Sequence, residues 1–344
     1  MSRRSLTLTI SGIATLVAVA VSVLVPVPYV ILQAGPTLNT LGTDSSGKPL
    51  ITISGRQTYQ ATGHLNMVTV GYQGGPGNNI NIYSALRAWL DPSEAVVPEQ
   101  ELFPSGQTAQ QTQQQDTAQM TGSQETATAA ALNALRIPFQ TLVSVFSTEK
   151  GFPAYGKLQA GDIIQAVNGA PVTSETSLTS LITSHPAGTT LTITVKRKGA
   201  TQKIPVSTKE NSGHPVLGIQ VTEDFRFPFT VKISVGDIGG PSAGLMFALG
   251  IIDKLTPDNL TGGRFIAGTG EITDTGQVQP IGGIQQKMVG ARNAGATIFL
   301  TPSGNCADTK GAVPAGLRIV KVSTLSQAMT DLQDIKAGEP VPSC

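Results

Sequence analysis

A chain of 344 residues with 40% hydrophobic side chains is long enough for two folded units and apolar enough to fill their cores. Gly 38 and Pro 22 fall short of the share that marks low-complexity chains, so global disorder is excluded. A net charge of +1 gives no electrostatic footing for nucleic acid, and two distant cysteines with three scattered histidines exclude the usual structural zinc sites.

The N-terminus carries the first element. No charge occurs between Arg4 and Asp44, and the apolar part of that run, residues 6–32, exceeds the ~20 residues a membrane-spanning helix needs. Arg3 and Arg4 precede it and no base follows closely, so the positive-inside rule predicts a cytoplasmic N-terminus, a single span and an extracytoplasmic remainder. A cleaved signal peptide is the alternative, although Pro26 and Pro28 interrupt the run without a clean small-residue cleavage site. In an oxidising compartment Cys306 and Cys344 would be free to pair; two unrelated thiols remain open as the other reading.

Residues 50–72 are rich in Thr, Ile and Val, and "GHLNMVTVGY" reads as a strand within a sheet. Before that, "GTDSSGKP" at 42–49 nearly matches a phosphate-binding P-loop, but Pro49 stands where the Mg²⁺-binding hydroxyl belongs, so a turn is expected. Residues 107–119 hold seven glutamines, a composition that suits a mobile arm and an exposed helix equally, and "ATAAALNAL" beyond it is helical.

From 135 to 210 the chain alternates strand signals with turn residues: "TLVSVF", then Gly161-Asp162-Ile163-Ile164 and Asn168-Gly169, a short polar helix, and the hairpin "TLTITVKRKGATQKIPVST". Pro153-Ala154, Leu158, Gly161 to Ile164 and Asn168-Gly169 together resemble the core of a bacterial PDZ domain. That resemblance implies a module that binds extended peptides by strand addition, with residues 139–146 as the expected peptide-binding strand, or else a PDZ fold used only as a spacer.

The chemistry lies after residue 218. Gly240-Pro241-Ser242-Ala243-Gly244 fits G-x-S-x-G, the nucleophile elbow of α/β-hydrolases. That fold places its histidine after the serine, whereas His64, His185 and His214 all precede Ser242. A serine without a histidine needs another base, and lysine is the usual substitute. Lys254 lies twelve residues along the same predicted helix, ~18 Å away at 1.5 Å per residue, and is excluded. Lys287 opens a short helix with Gly290, Ala291 and Ala294 at i+3, i+4 and i+7, a small-residue stripe that would let the amine be desolvated; on spacing alone an exposed helical lysine is the ordinary alternative.

"GGPSAGLMFAL", "GTGEITDTGQVQPIGGIQQKMVGARNAG" and "IFLTP" follow one another as in the proteolytic domain of Lon proteases, which this region resembles. The resemblance implies Ser242 as nucleophile, Lys287 as general base, Thr269 as a hydroxyl holding the lysine, and the Gly240 to Ala243 turn as a source of oxyanion donors. The family's Asp three residues before the serine is replaced by Gly239, and Glu271 fits a structural turn as well as a catalytic role. The whole chain resembles membrane-anchored Lon-like proteases that carry a PDZ domain and no ATPase module. The implied fold is mixed α/β (α+β): a proteolytic domain of the ribosomal-S5-domain-2-like type with an inserted PDZ domain and an N-terminal transmembrane helix. Expected divisions are 1–32 for the cytoplasmic tip and span, 33–134 for the first protease strands and Gln-rich arm, 135–210 for the PDZ domain and 211–344 for the Lon-like domain. The implied function is ATP-independent endoproteolysis of protein or peptide substrates outside the membrane, the PDZ domain recruiting or gating them. No cofactor, metal, ATP or nucleic acid is expected, and a homo-oligomeric ring is compatible with the family. The alternative is a PDZ-based scaffold whose protease fold is inactive.

Overall fold

The structure is a computed structural model that describes residues 3–44, 46–104 and 106–344. Helix α1 (Arg3–Leu24) is long and apolar enough to cross a membrane, and none of its residues is buried against protein. The hydroxyls of Thr7, Thr9 and Thr15 donate to carbonyls four residues back, which pairs these three donors within the helix. The helix stops at Leu24 rather than continuing to 32, because Pro26 and Pro28 lack the N–H that a helix requires. The chain turns directly into strand β1 (Tyr29–Asn39), antiparallel to β2 (His64–Gln73). Helix α2 (Ile82–Trp89) follows, its first turn capped by Asn81 accepting from the Ser84 N–H, and β3 (Ala95–Pro98) then pairs with the outer edge of β1.

The glutamine-rich stretch and the alanine-rich stretch form one helix, α3 (Ala109–Ala134), begun by a capping box between Thr108 and Gln111. Its first half is solvated. Its second half buries Ala127 and Ala129 to Leu132, and these small side chains let it lie close to the next helix of the same unit.

Residues Pro138–Pro228 form a separate compact unit. Its sheet contains β4 (Gln140–Thr148), β5 (Ile163–Val167), β6 (Thr190–Arg197), β7 (Ala200–Ser207) and β8 (Ile219–Arg226), in the order β7-β6-β5-β4-β8. Asn168 and Gly169 take positive φ at the turn leaving β5, as their residue types favour. Helix α4 (Glu175–Thr183) packs Leu178 and Ile182 into a core that includes Val143, Ile164, Leu191 and Val206. The unit extends beyond 210 because β8 pairs along the whole of β4, from Ile219↔Thr148 to Arg226↔Gln140. That pairing also moves the expected peptide-binding strand: β4 has β5 on one side and β8 on the other, so β4 is interior, and the terminal strand on its side of the sheet is β8.

The first unit resumes at Phe229. Residues Thr230–Ile233 pair with Ile51–Ser54, a ladder that ties chain before the insertion to chain after it. Then come α5 (Gly244–Leu255), β9 (Phe265–Gly268), α6 (Ile284–Asn293), β10 (Ile298–Pro302), β11 (Arg318–Val322) and α7 (Leu325–Ala337). The main sheet of this unit has six strands in the order β11-β10-β9-β2-β1-β3, parallel from β11 to β2 and antiparallel beyond. Parallel strands buried on both faces read as continuous apolar runs, and "IFLTP" is buried throughout. Phe247 and Leu249 of α5 meet Leu65, Met67, Ile266 and Leu300 of the sheet in the main core. Cys306 and Cys344 are joined by a disulfide, and Val341 beside it packs on the same core.

Candidate active site

Ser242 stands just before a buried helix. Every residue of α5 from Gly244 to Asp253 is buried, so the turn that precedes it has a fixed footing. The Ser242 carbonyl accepts from the Gly270 N–H (2.8 Å) and the Thr269 hydroxyl (2.9 Å). On the other side Ser123 of α3 donates to the Pro241 carbonyl (2.9 Å), and the Gly240 N–H donates to the Asp116 carbonyl (3.0 Å). Gly240 shapes the turn with φ +87°, but its N–H is thereby engaged, which argues against Gly240 as an oxyanion donor. Ala243, buried at the N-cap of α5, occupies the corresponding place on the helix side.

Lys287 lies in the first turn of α6. The helix starts from Gly283, whose φ of +66° is left-handed and at which a Cβ would meet Val70 at 2.5 Å, so the Gly-Gly turn is what brings α6 down onto β2. Farther along, Gly290 lies against Ala34 and Gly35 of β1, and Ala291 is fully buried. Lys287 itself is 3% exposed, and its Nζ donates to Ser242 Oγ (2.9 Å) and to Thr269 Oγ1 (3.2 Å). Burial pushes the amine down from 10.5 to about 7, because the charged form has lost its water without gaining a carboxylate. Thr269, 1% exposed at the end of β9, is oriented by its two bonds: it donates to the Ser242 carbonyl and accepts from the amine. Residues far apart in sequence, Ser242, Thr269 and Lys287, are thus joined in one hydrogen-bonded cluster.

The cluster opens into a cleft of about 520 Å³ with apolar walls that include Leu32, Met67, Tyr72, Phe103 and Met120. Two carboxylates line it. Asp237 is exposed; Asp116 of α3 is half-buried, and burial raises its pKa. A Cβ at Gly239 would sit 2.4 Å from the Asp116 Cβ, so the absence of a side chain there is what admits α3 to the cleft. Motif reasoning does not find Asp116; the one available signal is that it is the lone charge among the glutamines of 107–119. Glu271 is exposed in a short hairpin with Gln279 and does not line the cleft.

Residues 231–333 match the family described as the Lon protease (S16) C-terminal proteolytic domain, and residues 118–208 match the PDZ domain family. The chain carries a Lon-type proteolytic domain and a PDZ domain. Lon protease 2 of Herpetosiphon aurantiacus is 46% identical over 104 residues, covering 30% of this chain and 12% of that protein. Lon protease 1 of Bacillus subtilis is 32% identical over 118 residues, 33% of this chain and 15% of the relative. The chain spans only 11% to 15% of the length of the curated relatives it matches. The PDZ domain of the SdrC-like protein from Listeria innocua is 28% identical over 23% of this chain and 92% of that one, with a TM-score of 0.22, too low to bear on the fold. The Lon-type match begins at 231, and the unit that holds it also draws β1, β2 and α3 from before the insertion. Those earlier elements supply Leu32, Met67 and Asp116 to the cleft.

Proposed function

We propose that the Lon-type domain is an ATP-independent serine endopeptidase in which Ser242 is the nucleophile and Lys287 the general base. The observation that carries this is the buried amine 2.9 Å from Ser242 Oγ with its pKa near 7. A neutral Lys287 accepts the Ser242 proton as Oγ attacks the scissile carbonyl, then returns it to the leaving amine, so that an acyl-enzyme forms. A water attacks the acyl group, passing its proton to Lys287, and the Ser242 hydroxyl is regenerated. Thr269 acts as a positioning residue: it accepts one amine hydrogen and holds Nζ beside Ser242 Oγ, where rotation of the neutral amine turns its lone pair to the hydroxyl. The developing oxyanion is held at the N-terminus of α5 by the Ala243 N–H, where the helix dipole favours negative charge.

The other parts of the proposal follow the same chain. Helix α1 anchors the protein, Arg3 and Arg4 stay on the cytoplasmic side, and both folded units lie outside, an environment in which the Cys306–Cys344 disulfide persists. The PDZ unit recruits or gates substrate: an extended peptide adds to the edge of β8 beside α4, in a groove of about 1000 Å³ lined by Leu178, Thr179, Ile182, Gln220 and Val221. ATP has no role in this reading. The Gly42–Pro49 segment includes Ser45, which lies outside the described residues; around it Asp44 accepts from the N–H groups of Ser46 and Lys48, and Thr43 bridges to Pro49, so the loop's donors are turned inward.

A fluorophosphonate probe tests the core of the proposal on the full chain. Ser242 is expected to be labelled, Ser242→Ala and Lys287→Met to abolish labelling and peptide cleavage, and ATP with Mg²⁺ to change neither rate. Full cleavage by either variant would end the Ser-Lys reading, and ATP-stimulated cleavage would end its ATP-independent form.

A further inference from the structure

Helix α2 has an apolar face that none of the described residues covers. Its inner side packs Ala85 and Ala88 on Ile31, Ile80 and Val96, which is an ordinary helix-on-sheet contact. Its outer side should then be polar. Instead it shows Tyr83, Leu86, Trp89 and Leu90, exposed by 57%, 53%, 74% and 76%. At 100° per residue these four fall on one stripe, and the only charge on the helix, Arg87, is turned aside to Glu94 at 2.8 Å.

The position of α2 says what covers this face. The 22 residues of α1 span about 33 Å at 1.5 Å per residue, close to the ~30 Å of a bilayer's hydrocarbon core, so Val25 leaves the helix at the membrane surface. There the chain is stitched to α2 at once. The Ile82 N–H donates to the Val25 carbonyl (3.3 Å), Pro26–Val27 pairs with Ile80–Asn81, and α1 packs against α2. The first turn of α2 is therefore one hydrogen bond from the end of the span. Trp and Tyr are the residues that settle at headgroup level, with an apolar body and one polar handle. A second copy is the weaker occupant, because four side chains on an eight-residue helix and its C-cap offer well under the ~800 Å² per partner of a stable interface.

We propose that α2 is a membrane-surface foot, its Tyr83, Leu86, Trp89 and Leu90 seated in the headgroup–acyl boundary of the bilayer that α1 crosses. The proposal rests on reading α1 as a span. It has a consequence for the Lon-type domain, because the foot packs on Ile31 and the next residue of β1, Leu32, lines the cleft. The foot thus ties the orientation of the cleft to the plane of the membrane.

Trp89 is the sole tryptophan, so its fluorescence reports the foot alone. The full chain is reconstituted into vesicles of phosphatidylcholine and phosphatidylglycerol, some made with lipid brominated high on the acyl chain. Blue-shifted Trp89 emission, quenching by the brominated lipid and loss of quenching by aqueous iodide are expected. In Leu86→Glu/Leu90→Glu, which alters only exposed side chains, iodide quenching should return while labelling of Ser242 by the fluorophosphonate probe is unchanged. Full iodide quenching in a chain that resists alkaline extraction would overturn the foot and leave the anchor standing. Protection from iodide without bromolipid quenching would mean that a second copy or another protein covers the face, and would also overturn it. Release of the chain by alkali would remove the anchor and the foot together.

Discussion

Lys287 is a cation site only at a cost, and that cost gives two linked pH dependences. Acylation requires the neutral amine, so single-turnover acylation of Ser242 should rise with pH through about 7, far below the 10.5 of an ordinary lysine. The same shift acts on stability. Between about 7 and 10.5 the unfolded chain binds a proton that the folded chain does not, so stability rises with pH across that window, and below it the buried charge destabilises the fold in full. Lys287→Met should therefore melt at a higher temperature than the parent at pH 6, with the difference gone above pH 10.5. A flat acylation profile with no such stability difference would show that the amine is ordinary. Asp116 adds a prediction about substrates. Its carboxylate lines the cleft together with that of Asp237, so peptides with Lys or Arg beside the scissile bond should be cleaved faster than their Glu counterparts. Asp116→Asn should reduce that ratio by about two- to fivefold, the scale of one partly solvated ion pair. An unchanged ratio would place Asp116 outside substrate contact. Ser242 stands out in sequence through its G-x-S-x-G turn, whereas Lys287 and Thr269 are singled out by the Lon-like motifs around them. Neither signal marks Asp116, because its nearness to Ser242 comes from the docking of α3 across more than a hundred residues of chain, aided by a glycine at 239.

At the scale of elements, the helices and hairpins with strong local signals were legible, and their partners were not. "ATAAALNAL" reads as a helix, but nothing local shows that the glutamines before it continue that helix for 26 residues in all. The apolar run read as 6–32 contains both a helix and the start of a strand, because periodicity alone does not separate a spanning segment from a buried strand; Pro26 and Pro28 mark the change. In the PDZ unit the alternation of "TLVSVF" identifies a strand without revealing whether its edge is open. Only the pairing with Ile219–Arg226, far along the chain, shows that β4 is interior. The groove beside β8 is thus the place for a test. Thr179 is an exposed residue on its α4 wall, and surface changes of this kind cost little stability. Thr179→Trp should fill the groove, weaken peptide binding to the PDZ unit and slow cleavage of protein substrates, while Ser242 still reacts fully with a small acylating probe. Equal loss of both activities in a well-folded variant would contradict the division of labour between binding unit and catalytic unit.

At the scale of the whole molecule, the proposed topology draws on two separate features, the apolar helix α1 and the disulfide at the far end of the fold. In the proposed topology the two arginines that open α1 orient the span by their charge, and the Cys306–Cys344 bond lies in an oxidising compartment, where disulfides persist. The bond also holds a long closure. Its cysteines are separated by 38 positions, the tail it secures places Val341 on the main core, and the Pro342 carbonyl accepts from the Lys321 N–H of β11 at 3.0 Å. For a loop of this length the chain-entropy account gives a stabilisation of about 4 kcal/mol as an upper figure, since reduced chains keep residual structure. Because these are the chain's only two cysteines, thiol chemistry reads topology without background. Full-length protein taken from cells under non-reducing conditions and denatured in a maleimide reagent should take up no label, and after reduction should take up two per chain. Reduction should also lower the melting temperature of the Lon-type unit, with the β11 edge exchanging its amide hydrogens first. Label at both cysteines before reduction would place them in a reducing compartment and reverse the orientation assigned to α1, whereas a reduced chain with an unchanged melting temperature would confine the error to the energetics of the clasp.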